Sequence, residues 1–129
     1  AVAISKEVEV MGDGTLKVAY QITNKESKPL KATWAVEFNF SIGNDNGPRV
    51  WDKEAVKEVG LVDSWRDIPI KLSSQGEFRV LSCPIDTVSG SEAGLGRTYQ
   101  GNSLLWQKVL TLEAGQSAQD VFHLQVGDV

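Results

Sequence analysis

Five acidic residues set the first chemical question: Glu37, Asp63, Asp67, Asp86 and Glu92. A glycosidase needs two carboxyl groups about 5–9.5 Å apart across the scissile bond, one as acid and the other as base or nucleophile. The chain carries 17 acidic residues, so some pair will meet that spacing by chance. Solvated or hydrogen-bonding roles are the favoured reading. A denser signal is Pro84-Ile85-Asp86-Thr87-Val88-Ser89-Gly90-Ser91-Glu92-Ala93-Gly94, which gathers two carboxylates, three hydroxyls and two glycines. Such groups hydrogen-bond sugar hydroxyls, or tie a tight loop to itself through Asx and Ser/Thr turns. Arg97, Tyr99 and Gln100 continue the polar run, as a sugar-stacking subsite or as a packed sheet edge. Trp51 and Trp65 flank a long turn-rich segment and offer either sugar platforms or plain packing.

Other chemistries find less support. His123 is the only histidine and reads as outward on the last strand, and no G-x-S-x-G nucleophile motif occurs. Asn44-Asp45-Asn46-Gly47 has the composition of a calcium loop without the spaced ligands or distal glutamate, so it reads as a turn. Gly90, Gly94 and Gly96 do not follow a nucleotide-binding spacing. Cys83 is the only cysteine, so an internal disulfide and a multi-cysteine zinc site are both excluded. It fits a reducing, cytoplasmic setting. No metal or cofactor is expected. The net charge is −4 and the basic residues are scattered, which argues against a nucleic-acid partner. A membrane partner is not expected either: no apolar run nears the roughly 20 residues that span a bilayer, and the start lacks a signal-peptide pattern.

These residues need a frame, and the stretch 30–42 supplies its centre. Leu30, Ala32, Trp34, Val36, Phe38, Phe40 and Ile42 alternate with Lys31, Thr33, Ala35, Glu37, Asn39 and Ser41, the period of a half-buried strand. At roughly 3.3 Å per residue the run spans about 40 Å, long enough to expect a bend or bulge. Glu37 and Asn39 stand on its polar face. Before it, Val2, Ile4, Val8 and Val10 mark a half-buried strand, Gly12-Asp13-Gly14 a hairpin turn, and Leu16 to Ile22 a second strand. The three read as a meander.

Residues 43–60 read as a long loop, with a short helical turn within 51–60. Strands resume at 66–72, a hairpin turn falls at 73–76, and Phe78 and Val80 point inward from a strand at 77–83. Residues 84–101 read as a polar loop. Leu104, Trp106, Leu110 and Leu112 mark a long strand with a phase slip, hence a bulge, near Val109. A turn at 113–116 and a strand through Phe122, Leu124 and Val126 complete the chain. Roughly eight to ten strands without a helix of ordinary length predict an all-β antiparallel sandwich in a single domain spanning residues 1–129.

Two segments resemble a known family. Thr33-Trp34-Ala35-Val36-Glu37-Phe38-Asn39-Phe40-Ser41 and the 84–94 run, followed by Tyr99-Gln100-Gly101, look like the C-terminal β-sandwich region of α-amylase/4-α-glucanotransferase enzymes of glycoside hydrolase family 57. Asp86 stands where the family usually has Glu, Gly90 where it has Gln, Leu95 where it has an aromatic, and Gly96 where it has a second Glu. The resemblance runs from about Leu16 to Val126. It implies that nucleophile and acid lie on a separate catalytic (β/α) barrel, so no catalytic residue is carried onto this chain. It also implies a domain or fragment of a larger enzyme, inactive alone, with that barrel as partner and α-glucan oligosaccharide as a further contact. Glu37, Asn39, Trp51, Trp65, Asp86, Thr87, Ser89, Ser91, Glu92, Tyr99 and Gln100 are then the ligand or interface candidates. An independent carbohydrate-binding module and a structural or protein-interaction sandwich are the alternatives.

Overall fold

A computed structural model describes residues 1–43 and 48–128. The turn reading of Asn44-Asp45-Asn46-Gly47 falls outside the described residues. Among the described residues seven strands form one all-antiparallel sheet: β1 (Val2–Val10), β2 (Leu16–Asn24), β3 (Leu30–Phe40), β4 (Trp51–Asp63), β5 (Ile68–Ser91), β6 (Gly94–Leu112) and β7 (Ser117–Val126). Their order is β1-β2-β7-β5-β6-β3, with β4 also paired to β5. Seven strands stand where eight to ten are expected: β5 runs unbroken through 73–76, where the sequence reads as a turn, and most of the long loop expected over 43–60 is the strand β4.

That continuity makes the sandwich. The start of β5 (residues 70–74) pairs with β7, and its later part (residues 79–91) pairs with β6. The strand therefore passes from one layer to the other around residues 75–78. β4 follows the same bend, with register shifts between Lys53 and Val56 and between Val56 and Glu58. Ala55 sits there at φ 55°, a left-handed conformation that a bulge accommodates. The helical turn expected in 51–60 is thus strand, since ladder pairing with β5 at residues 51–53, 56 and 58–63 outweighs the helix preference of the intervening Glu54, Ala55 and Lys57.

The first three strands do not form the expected meander. β1 and β2 form the expected hairpin, but β2 pairs with β7, and β3 crosses to pair with β6. Asn24, fully buried, holds the crossover. Its Nδ2 donates to the carbonyls of Lys28 (2.9 Å), Leu112 (3.3 Å) and Glu113 (3.1 Å), and its Oδ1 accepts from the Glu26 N–H (3.0 Å). β3 pairs in register from Leu30 to Phe40 without the expected bulge.

The core lies between the layers, with Phe122 at its middle. Its ring centroid is 5.0 Å from Phe38, 5.3 Å from Phe78, 5.4 Å from Trp106 and 6.1 Å from Tyr20. These rings come from β2, β3, β5, β6 and β7. Trp34, expected in the core, is half-buried and packs edge-on against Tyr20 at 5.5 Å.

The first strand departs most from expectation. Val2, Ile4, Val8 and Val10 lie opposite the inward β2 residues Asn24, Ile22, Val18 and Leu16, yet every residue of β1 is exposed. Among the described residues, the other layer stops above β2.

Candidate functional site: a two-stranded arm and its locked base

Beyond Pro84 and Asn102 the β5–β6 ladder leaves the sandwich as a hairpin arm. Pairs run from Ile85 with Gly101 to Ser91 with Gly94, interrupted by a bulge at Ile85/Asp86. The polar loop expected over 84–101 is therefore strand. Glu92 and Ala93 form its turn, and Gly94, at φ 110°, lets so short a connection close. Residues 87–98 are exposed throughout.

Strand alternation sorts the arm's side chains onto two faces. Cross-strand pairing puts Asp86, Val88, Arg97, Leu95 and Tyr99 on one face, and Thr87, Ser89, Ser91 and Thr98 on the other. The first is apolar and charged: Leu95 is 84% exposed, Val88 is exposed too, and Arg97 Nη1 lies 3.8 Å from Asp86 Oδ2. The second carries hydroxyls. Gln100, the extra residue of the bulge, donates from Nε2 to Thr87 Oγ1 at 3.2 Å. Ser91 Oγ donates to the Gly94 carbonyl at 3.2 Å. Glu92 stands exposed at the tip.

The base of the arm is locked. The Tyr99 hydroxyl donates to Asn102 Oδ1 (2.5 Å), and Asn102 Nδ2 donates to Ser82 Oγ (2.8 Å) and to the Arg49 carbonyl (3.2 Å). Ser82 Oγ donates to the same carbonyl at 2.8 Å. The Arg49 guanidinium covers the Tyr99 ring at 3.7 Å, a cation–π contact. Asn102 and Ser82 are buried. Gly101 completes the lock, because a Cβ there would lie 1.9 Å from the Phe40 carbonyl oxygen. Tyr99 is thus anchored at its hydroxyl, with the Arg49 guanidinium over its half-buried ring. Residue type alone did not mark Arg49, Ser82 and Asn102 as members. The legible signal was polar Ser82 and Asn102 on the same parity as inward Val80, Leu104 and Trp106.

Trp65 reaches the same end of the sandwich. It is 77% exposed, yet one edge rests on Gly43, where an added Cβ would meet Trp65 Cε3 at 2.5 Å. Gly101 abuts Phe40 and Ser41 just before it, so the exposed tryptophan and the arm both flank residues 40–43. Asp63 fixes this turn. It is buried and accepts from the N–H groups of Trp65 (3.1 Å) and Arg66 (3.3 Å) and from Arg66 Nη1 (2.7 Å). Burial works to raise its pKa, but Arg66 and the N–H groups of Gly43, Arg66 and Trp65 outweigh it and hold the carboxyl below the usual range. Asp67 adopts φ 55° in the same turn.

The remaining candidates stand apart. Glu37 Oε1 accepts from Ser103 Oγ at 2.9 Å on the outer face of β3, and Asn39 is exposed on that face. Trp51 is half-buried against the core, with Lys53 Nζ 5.0 Å from its ring, and lines a 570 Å³ cleft along β4. His123 is half-buried on the outward row of β7, and Cys83 is exposed and free. Of the five carboxylates weighed for catalysis, Asp63 is engaged by Arg66, Asp86 by Arg97 and Glu37 by Ser103. Among the described residues, no three His, Cys, Asp or Glu side chains are grouped to hold a metal.

A bent antiparallel sandwich with a projecting, two-faced arm is the class of module defined by this geometry. The chain belongs to the family described as Alpha-amylase/4-alpha-glucanotransferase, C-terminal, whose model matches residues 1–119. Among solved structures it is similar to the 4-alpha-glucanotransferase from Thermococcus litoralis, with a TM-score of 0.77, 22% identity and 96% of this chain covered. It spans 18% of that chain. At that identity the likeness speaks for the fold alone. No curated protein matches the chain.

Proposed function

We propose that this chain is a non-catalytic accessory domain of an α-amylase/4-α-glucanotransferase-type enzyme of glycoside hydrolase family 57, seated beside a catalytic (β/α) barrel. The observation that carries the reading is the sorting of the arm. Its apolar, ion-paired face has the chemistry of a domain contact, and its hydroxyl face has the chemistry that hydrogen-bonds α-glucan. A two-stranded ribbon without a covered face is marginal in water. A neighbouring domain would relieve that exposure. The chain itself then performs no cleavage or transfer, and supports a barrel that does.

Transfer between maltooligosaccharides by the barrel with and without this domain tests the proposal. The joined enzyme is expected to be the more active or the more stable, and replacing Val88 and Leu95 with Asp should lower that advantage. Full activity and stability of the barrel alone would overturn it, as would cleavage by the purified 129-residue chain.

One observation favours a second reading, an independent carbohydrate-binding module: the exposed indole of Trp65 beside the arm. Electrophoresis through glycogen- or starch-containing gels separates the two. Retardation that disappears in Trp65→Ala supports the module, and unchanged mobility rejects it.

A further inference from the structure

The two layers of the sandwich are of unequal width, and their mismatch falls at one place. In the first layer β1 continues the sheet beyond β2, and among the described residues nothing covers its inward row: Ile4 is 57% exposed, Val8 56% and Val10 73%. In the second layer β3 is the last strand, and among the described residues it pairs with β6 alone. The Trp34–Tyr20 contact puts β3 over β2. The outer edge of β3 is therefore a row of free backbone N–H and C=O groups, directly above an uncovered apolar shelf. A single additional strand satisfies both. It would take the free hydrogen bonds of β3 and bury the inner row of β1.

We infer that an extended segment of the enzyme polypeptide outside residues 1–129 completes the sandwich, pairing as a strand with the free edge of β3 and laying apolar side chains on β1. The inference rests on the accessory-domain reading, in which a solved relative of the same fold has this region as 18% of its chain. The occupant's chemistry is set by the shelf. Val2, Ile4, Val8 and Val10 call for apolar residues at alternate positions. Lys6 interrupts the row with its Nζ 5.7 Å from the Tyr20 ring centroid, and calls for a carboxylate at the middle. A second copy pairing edge to edge through β3 does not fit. The β2 strand beneath that copy's β3 would need the space that β1 already fills.

Two measurements test this. In the first, the chain carries after Val129 a Gly/Ser linker of about 25 residues, with a reach of about 25–30 Å, and then a strand as long as β1. Valine takes alternate positions in that strand, glutamate the middle of the valine row, and threonine the rest. Amides on the free edge of β3 should exchange about tenfold more slowly than in the untailed chain, and the Ile4 and Val8 methyl resonances should shift. Lysine in place of the glutamate should abolish the protection, and Lys6→Glu should restore it for the lysine strand. No protection at β3, or protection that survives Ile4→Asp with Val8→Asp, overturns the inference.

In the second, the same amides are followed in the barrel-joined enzyme, where they should again be protected. If they exchange as freely as in the isolated chain, the strand site is wrong even where the domain supports transfer. If they are protected but transfer is indifferent to the domain, the accessory role is wrong and the strand site stands.

Discussion

Lys108 on β6 reaches across the interior to Asp120 on β7, placing Nζ 2.5 Å from Oδ1 between the two layers. Asp120 is buried, and Lys108 is mostly so, its ammonium 4.6 Å from the Phe78 ring centroid. Both occupy inward positions of strands whose neighbouring inward residues, Trp106 and Phe122, are fully buried. This pair explains the apparent phase slip at Val109. β6 keeps its register with β3, Lys108 takes the inward position, and Val109 faces out.

Breaking one half of such a pair is costlier than removing both. Asp120→Ala should destabilise the chain by about 3 kcal/mol or more in urea titration, since it strands an ammonium against Phe78. Lys108→Met with Asp120→Leu should recover most of the loss or exceed wild type. Equal losses in the single and double variants would mean that the pair does not couple the layers.

Gly101→Ala should be severely destabilising, by about 3 kcal/mol or more, because a Cβ 1.9 Å from the Phe40 carbonyl oxygen forces β6 away from β3. Gly90→Ala, with only the Leu95 side chain at 4.0 Å, should be tolerated. Denaturation midpoints of the two variants check the contrast.

Tyr99→Phe removes the donor to Asn102 and should cost about 1–2 kcal/mol, leaving a buried amide oxygen without that partner. Hydrogen exchange should then quicken along the arm first and in the Phe122 core last. Uniform quickening would show that the lock belongs to the core and not to the arm.

Acid should weaken the fold through three carboxylates. Asp13 is held below the ordinary range by Thr15 and Asp52 by Arg79. Asp63 is held there against the upward push of burial, by Arg66 and the surrounding N–H groups. A carboxyl of depressed pKa binds protons more readily when unfolded. Its contribution is therefore full above the unfolded value near 3.8 and fades as pH falls through the lower folded value. Thermal midpoints should hold above about pH 5 and fall steadily below about pH 4. Asp63→Asn should lower the midpoint at neutral pH by a few degrees and flatten its acid dependence. An unchanged acid slope in that variant would remove Asp63 from the account.

Much of the fold was legible in the sequence. Period-two alternation in residues 16–22, 30–40 and 104–112 marked strands that the structure keeps, and the turns at Gly12-Asp13-Gly14 and at 113–116 are where their composition put them. Alternation records which face of a strand is buried, and each strand carries that record in its own residues.

Pairing was not legible, because it depends on partners distant in the chain. Nothing local says that β2 lies beside β7 and not β3, or that Ser73 to Gly76 bend a continuing strand and do not end it. The site was half legible for the same reason. The residue types of 84–101 announced hydrogen-bonding chemistry, but only the ladder between β5 and β6 sorted Thr87, Ser89 and Ser91 from Val88 and Leu95. Only the close approach of β6 to the end of β3 made Gly101 obligatory, and only the folding of Asn102, Ser82 and Arg49 to one place anchored Tyr99. The apolar row of β1 shows the limit most plainly. Alternating residues endow a strand with one greasy side, while the presence of anything on top of it is decided by where the opposing layer ends.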